Sequence, residues 1–257
     1  MNTPDTVRVD MHIHTCWSSD TWTRPERILQ RIEQYRTVDY ICVTDHNEIG
    51  AALELAAVDS PVGVIVGEEI YTTHGEIAGL FLKEHVPPML SPARTVELIK
   101  AQGGLVVVPH PLGRVVPSRL KADALKEIMA DVDILEVYNS RNFVGRDDIK
   151  VIDLARREGK AMAAGSDAHF AFEIGRAFVE MRDFRSADEF LSSLRSGRLV
   201  LQKRTTPLVH CVTLPVGITR RRVHTWLRRP WLSVSRKLPP APENGFRKCQ
   251  GSEEHAR

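Results

Sequence analysis

Short apolar runs recur through residues 7–201, each separated from the next by an amphipathic stretch or a turn, and this restricts the chain to a layered α/β architecture. Residues 7–10, 40–44, 63–66, 77–82, 105–108, 134–137, 161–164 and 178–181 are apolar at both parities, the pattern of strands covered on both faces. Helix signals fall between them. Pro25 opens one helix, reading to about Arg36. Ser91 and Pro92 supply an N-cap and a first-turn proline for a helix that runs through Lys100 and stops at Gly103 and Gly104. Another begins near Gly145 and closes at Gly159, and Ser186 with Glu189 forms a capping box for a helix ending at Gly197. The alternation predicts parallel strands joined by crossover helices.

Charge divides the chain where this pattern fades. Residues 215–257 hold ten Lys/Arg against three Asp/Glu, whereas the preceding 214 residues hold 25 against 30. Past about Thr205 the periodicity is lost, and the segment is rich in proline and carries the run Arg220, Arg221, Arg222. The expected organisation is one folded domain over residues 1–205 and a basic, flexible tail over residues 206–257. A hydrophobic fraction of 42% suffices for a real core in the first part. No run of eighteen uncharged apolar residues occurs, and residues 1–10 lack the features of a secretory leader. Cys16, Cys42, Cys211 and Cys249 show no CxxC spacing, which argues against a disulfide scaffold or a thiolate zinc site and leads us to expect a cytoplasmic protein.

The chemistry lies where the apolar runs end. The first is followed by His12 and His14, the second by Asp45 and His46, the third by Glu68 and Glu69, and the fifth by His110; the sixth contains Glu136, and the seventh leads into Asp167 and His169. In a β/α barrel such ends converge on one face, where active sites are built. A lone histidine is usually a hydrogen-bonded core residue, but five placed after four different strands point together to a metal centre. Imidazoles mixed with carboxylates suit zinc, manganese or iron better than calcium. Glu69 is the candidate bridge between ions. His74, His85, His210, His224 and His255 lack this context, although His74 lies close enough in sequence to support Glu69.

Taken in order, His12-x-His14-Thr15, Thr44-Asp45-His46, Gly67-x-Glu69, His110-Pro111 and Gly165-Ser166-Asp167-Ala168-His169 resemble the motifs of the PHP (polymerase and histidinol phosphatase) superfamily over about residues 7–185. The resemblance implies a distorted (β/α)7 TIM-like barrel, two or three divalent metal ions, and hydrolysis of phosphate esters by a metal-activated hydroxide. It assigns His12, His14, Glu69 and Asp167 to one ion, Glu69 and His110 to a second, and Asp20, His46 and His169 to a third. Many members place a further histidine after the fifth barrel strand. Here that region offers only Glu136, Asn139 and Asn142.

Within that resemblance Glu69 and Asp167 are the catalytic carboxylates, and Arg114, Arg141 and Arg176 are candidates to neutralise a phosphoryl group. Asp45 and Glu68 are expected to orient ligand imidazoles from behind. The expected substrate is a small phosphomonoester, a nucleotide or an oligonucleotide. An exonuclease would use the basic tail, with Trp226 and Trp231, to hold nucleic acid. A non-catalytic metal-binding module is the remaining alternative.

Overall fold

The computed structural model describes residues 6–113, 116–142 and 145–205, together with the backbone of a short strand at Phe246–Arg247. Arg114 and nearly all of the basic segment 206–257 lie outside the described residues, so the expectations placed on them are not addressed by this structure.

In chain order the elements are β1 (Thr6–Ile13), α1 (Pro25–Tyr35), β2 (Tyr40–Val43), α2 (Gly50–Ala57), β3 (Gly63–Thr72), β4 (Gly75–Leu80), α3 (Pro92–Ala101), β5 (Leu105–Val108), α4 (Ala122–Ile128), β6 (Ile134–Asn139), α5 (Gly145–Arg157), β7 (Ala161–Gly165), β8 (Ala177–Arg182), α6 (Ala187–Arg195), β9 (Arg198–Leu201) and β10 (Phe246–Arg247). The strands form one sheet in the order β7-β6-β5-β4-β3-β2-β1-β8-β9, with β10 pairing antiparallel to β3 at Val64 and Ile65. This mixed sheet curls into a nearly closed barrel.

Its parallel pairs are β1–β2, β2–β3, β5–β6 and β6–β7. β4 runs against both its neighbours, and β8 and β9 are antiparallel additions beside β1. The uniformly parallel arrangement expected from the alternation therefore fails at β8, which runs antiparallel to β1, and within the sheet at β4. At β4 the cause is local: β3 continues through Thr72, leaving only Thr73 and His74 before β4, and so short a link permits a hairpin but no crossover.

Alternation along each strand separates two cores. Ile41, Val43, Val64, Val66, Val106, Val108 and Leu135 face outward and pack with Ile28 and Ile32 of α1, Ile99 of α3 and Val151 of α5. Val9, Met11, Tyr40, Cys42, Ile65, Val107 and Ile134 face the other way, onto Phe81, Phe184 and Phe190, whose rings meet edge to face. On β3, Glu69 shares the parity of Ile65, whereas Glu68 shares that of Val64 and Val66.

The seam between β7 and β1 is closed by specific bonds. Ile13 bridges Ala168, His14 N donates to Ala168 O at 2.9 Å, and the buried Asp10 carboxylate accepts from Ser166 N at 2.8 Å and Gly175 N at 2.9 Å. Gly165 permits this approach, because a Cβ there would sit 2.5 Å from His12 Cβ and 2.7 Å from Glu136 Oε1. Among the described residues no helix is long and apolar enough to cross a membrane.

Candidate metal centre

The C-terminal ends of the parallel strands turn their polar side chains to one rim. His12 and His14 stand two apart at the end of β1, so they share a face, and the register with β2 slips between Asp10 and Ile13 just where they leave the sheet. His46 follows β2, His110 follows β5, Asp167 and His169 follow β7, and Asp20 comes from the loop after β1. Glu69 stands within β3 rather than beyond it, and it is the hub. Its oxygens lie 3.3 Å from His12 Nε2, 3.4 Å from His14 Nε2, 3.1 Å from His46 Nδ1 and 3.2 Å from His110 Nε2. Asp167 Oδ1 is 3.3 Å from His14 Nε2, and Asp20 Oδ2 is 3.1 Å from His46 Nε2 and 3.3 Å from His169 Nε2.

Three sets of donor atoms lie within 4.8 Å of one another: His12, His14 and Asp167; His14, His46 and His169; and His46, Glu69 and Glu76. The last includes a residue that sequence reasoning missed. Glu76 sits on β4, across the hairpin from β3, and its oxygens are 3.5 Å from His46 Nδ1 and 3.8 Å from His110 Nε2. The signal that could have found it was a charged residue inside an otherwise apolar strand, at a parity that the short hairpin brings to the same side as Glu69.

Imidazole orientation is set from behind. His12 Nδ1 lies 3.1 Å from Glu136 Oε1, and His169 Nδ1 lies 3.0 Å from the backbone oxygen of Asp167. Glu136 also accepts from His110 N at 2.8 Å and from Asn139 Nδ2 at 3.0 Å, so one carboxylate ties two of the histidine positions together. Asn139 reaches Asp167 Oδ2 as well, at 3.2 Å, whereas Asn142 turns away to Asp148. His110 and Asp167 adopt left-handed backbone angles, φ 32° and 51°, a strain that is common where a side chain must be aimed.

Burial opposes charge on these groups, and mutual attraction outweighs it at most of them. His12 is held well above the ordinary imidazole value by Glu136, Glu69 and Asp167; His46 is raised to about 10, chiefly by Asp20 and Glu69, and His110 to about 9 by Glu69. Those same histidines, together with His169, draw Asp20, Glu69 and Asp167 well below the carboxylate range. His14 differs: burial, reinforced by the neighbouring imidazoles, lowers it to about 3. Glu76 is pushed up by burial and by Glu69.

These donors fit divalent cations. Both oxygens of Glu76 are buried without a hydrogen bond of ordinary geometry, with the Ser118 hydroxyl as a nearby weak neighbour. A carboxylate so placed is costly unless a positive charge meets it.

Other sequence expectations land elsewhere. Asp45 orients no imidazole directly; it accepts from Thr15 N and Thr15 Oγ1, each at 2.6 Å, and from Ser18 Oγ at 2.8 Å. Glu68 faces away from the centre and binds His85 Nδ1 at 2.8 Å and Val86 N at 3.0 Å, because adjacent residues on a strand point to opposite faces. His74 is exposed at the hairpin turn, bonded to Thr73 rather than to Glu69. Arg141 is buried, its Nη1 3.8 Å from Glu173 Oε2, and its charge helps to lower Asp167. Arg176 is spoken for: Nη1 meets Glu173 Oε1 at 3.2 Å and donates to Thr205 Oγ1 at 2.8 Å, while its guanidinium lies over the Phe172 ring.

A curved sheet with β4 reversed, carrying histidines and carboxylates at one rim, defines a PHP-type barrel. Residues 149–199 match the PHP-associated family. The chain is 36% identical over 146 residues to the uncharacterized protein MJ1587 of Methanocaldococcus jannaschii, an alignment covering 52% of this chain and 82% of that one. It is 32% identical over 200 residues to the uncharacterized protein MJ0417 of the same organism, covering 74% and 79%. Among solved structures, a two-domain protein containing a predicted PHP-like metal-dependent phosphoesterase from Bacteroides vulgatus superimposes with a TM-score of 0.57 at 17% identity, over 78% of this chain and 66% of that one. The lesion-specific endonuclease PfuEndoQ from Pyrococcus furiosus gives 0.57 at 16% identity, over 76% and 58%. The chain belongs to the PHP superfamily.

Proposed function

We propose that this protein is a metal-dependent phosphoester hydrolase acting on a phosphomonoester, a nucleotide or an oligonucleotide. The observation that carries the reading is Glu69, a buried carboxylate within 3.4 Å of four imidazoles that come from β1 and from the ends of β2 and β5. His12, His14, Glu69 and Asp167 would hold one divalent cation, and Asp20, His46 and His169 another. Glu69, His110 and Glu76 would hold the remaining one, so that Glu76 takes the place for which the region after β6 offers no histidine. Zinc, manganese and iron suit this donor set.

When bound, such cations supply Lewis acidity and lower the pKa of water to roughly 7. The chain's own residues do the rest. Glu136 and the Asp167 backbone oxygen turn the Nε2 atoms of His12 and His169 inward. Arg141, buried beside Asp167 and Glu173, supplies fixed positive charge for phosphoryl oxygens, a role that Arg176, engaged with Glu173 and Thr205, fills less readily. Arg114 remains a second candidate on the strength of its place four residues after His110. The barrel alone provides this machinery, which favours a phosphatase over an exonuclease dependent on the basic segment.

Metal analysis of the purified full chain, coupled to phosphate release from nucleotides, sugar phosphates and histidinol phosphate, tests the proposal. Bound divalent metal with turnover on at least one of them is expected. Protein that retains no zinc, manganese or iron after incubation with each would overturn it.

A further inference from the structure

We infer that Ser18 is a positioning residue that fixes which ring nitrogen of His14 carries the proton, and thereby presents a bare Nε2 to the metal centre. Only the consequence for metal rests on the function proposed above; the proton placement follows from counting hydrogen bonds. Ser18 Oγ has three buried neighbours: Asp45 Oδ1 at 2.8 Å, His46 N at 2.9 Å and His14 Nδ1 at 3.1 Å. A hydroxyl offers one proton and two lone pairs.

Each partner limits what Ser18 can do. Burial pushes the Asp45 carboxyl up, but Thr15 N and Ser18 N, which can only donate, both point at the same Oδ1 that Ser18 Oγ faces, so this oxygen acts as an acceptor. The Ser18 proton therefore goes to Asp45. The His46 backbone N–H can only donate, and it occupies one lone pair. What remains for His14 is the second lone pair, so Nδ1 must carry a hydrogen.

With Nδ1 protonated, a neutral His14 has its free lone pair on Nε2, 3.3 Å from Asp167 Oδ1, 3.4 Å from Glu69 Oε2 and 3.0 Å from His12 Nε2. A lone pair aimed at two carboxylates is repulsive unless a cation lies among them. The opposite tautomer would leave Ser18 and Asp45 facing each other 2.8 Å apart without a proton between them, and would block Nε2. The same hydroxyl holds the His46 backbone, so one small residue ties a donor from β1 to a donor from β2. Asp45 thus reaches the imidazole of His14 through Ser18.

The test uses the full chain with 15N-labelled histidine, stripped of metal by a chelator, and long-range 1H–15N correlation. His14 should read as the Nδ1-protonated form in the parent. In Ser18→Ala it should pass to the Nε2 form or a mixture, and Ser18→Thr, which keeps a hydroxyl, should restore the parent signal. Zn2+ affinity, measured by competition with a chromophoric chelator, should weaken about 10- to 100-fold in Ser18→Ala. An Nε2-protonated His14 in the parent overturns the inference whether or not either variant folds. So does a Ser18→Ala protein with unchanged tautomer and unchanged Zn2+ affinity. A tautomer that shifts as expected in protein with no Zn2+ affinity at all upholds the proton placement and removes the metal reading instead.

Discussion

Glu68 and Glu69 are neighbours on β3 and both are fully buried, yet the barrel wall puts them in opposite worlds. Glu69 points inward to the imidazoles of His12, His14, His46 and His110, and His12, His46 and His110 draw it well below the carboxylate range against the effect of burial. Glu68 points outward, where burial pushes its carboxyl up and, among the described residues, His85 and the Val86 amide answer it. Burial and residue type are the same in both cases, so neither marks out the carboxylate of the candidate metal centre. Direction across the sheet does, through the parity of the strand.

The contrast is broken most directly by exchanging each carboxylate for its amide. Glu69→Gln is expected to lower turnover on the order of 10²–10³-fold or more and to strip bound metal, whereas Glu68→Gln should keep both within a few-fold. Phosphate release and metal content, measured side by side, decide it; equal losses would show that β3 merely needs its charges. Glu76→Gln comes next: it should weaken the binding of one ion by about 10- to 100-fold while leaving the others in place, read by stepwise metal titration.

Proton linkage sharpens the comparison from the inner side. His46 and His110 are raised to about 10 and about 9 in the folded protein, above the ordinary 6.5. The stability they contribute is therefore present below about pH 6.5 and is lost as pH rises through 9 to 10. Metal-free protein should melt at steadily lower temperature over that window, and metal-loaded protein should not, because cations take over the work of the protons. Calorimetry with and without Zn2+ would show it, and identical alkaline profiles would count against the centre. The smallest effect belongs to the outer pair. Glu68→Gln should cost about 1–3 kcal/mol of unfolding free energy, and His85→Ala, which removes a half-exposed partner, less than about 1 kcal/mol.

What could be read from the sequence follows the same logic. The strand cores were legible because apolar runs such as 105–108 and 134–137 are short, β-branched and bounded by turn residues. The donors at strand ends were legible because polar residues interrupt those runs at corresponding points. β3 looked shorter than it is, since Glu68 and Glu69 read as the end of a strand rather than its middle, and that hid the hairpin, the reversal of β4 and the role of Glu76. α2 escaped for a different reason: Gly50, Ala51, Ala52, Leu53, Leu55 and Ala56 are all buried, so the helix shows no polar face to give it a period, and Trp17 packs where a Cβ on Gly50 would stand. Orientation of second-row groups was least legible. Whether Asp45 reaches a ring directly or through Ser18 depends on contacts of 2.8 Å and 3.1 Å that no spacing encodes.

The close approach at Gly165 has a mechanical consequence. Barrel closure and the floor of the candidate metal centre are the same few atoms, since the lack of a side chain here is what lets β7 lie against His12 and Glu136. A single methyl at this position would wedge the staves apart and tilt the first imidazole in one stroke. Loss of shape and loss of cofactor would then arrive as one event, and no rescue by excess metal could separate them.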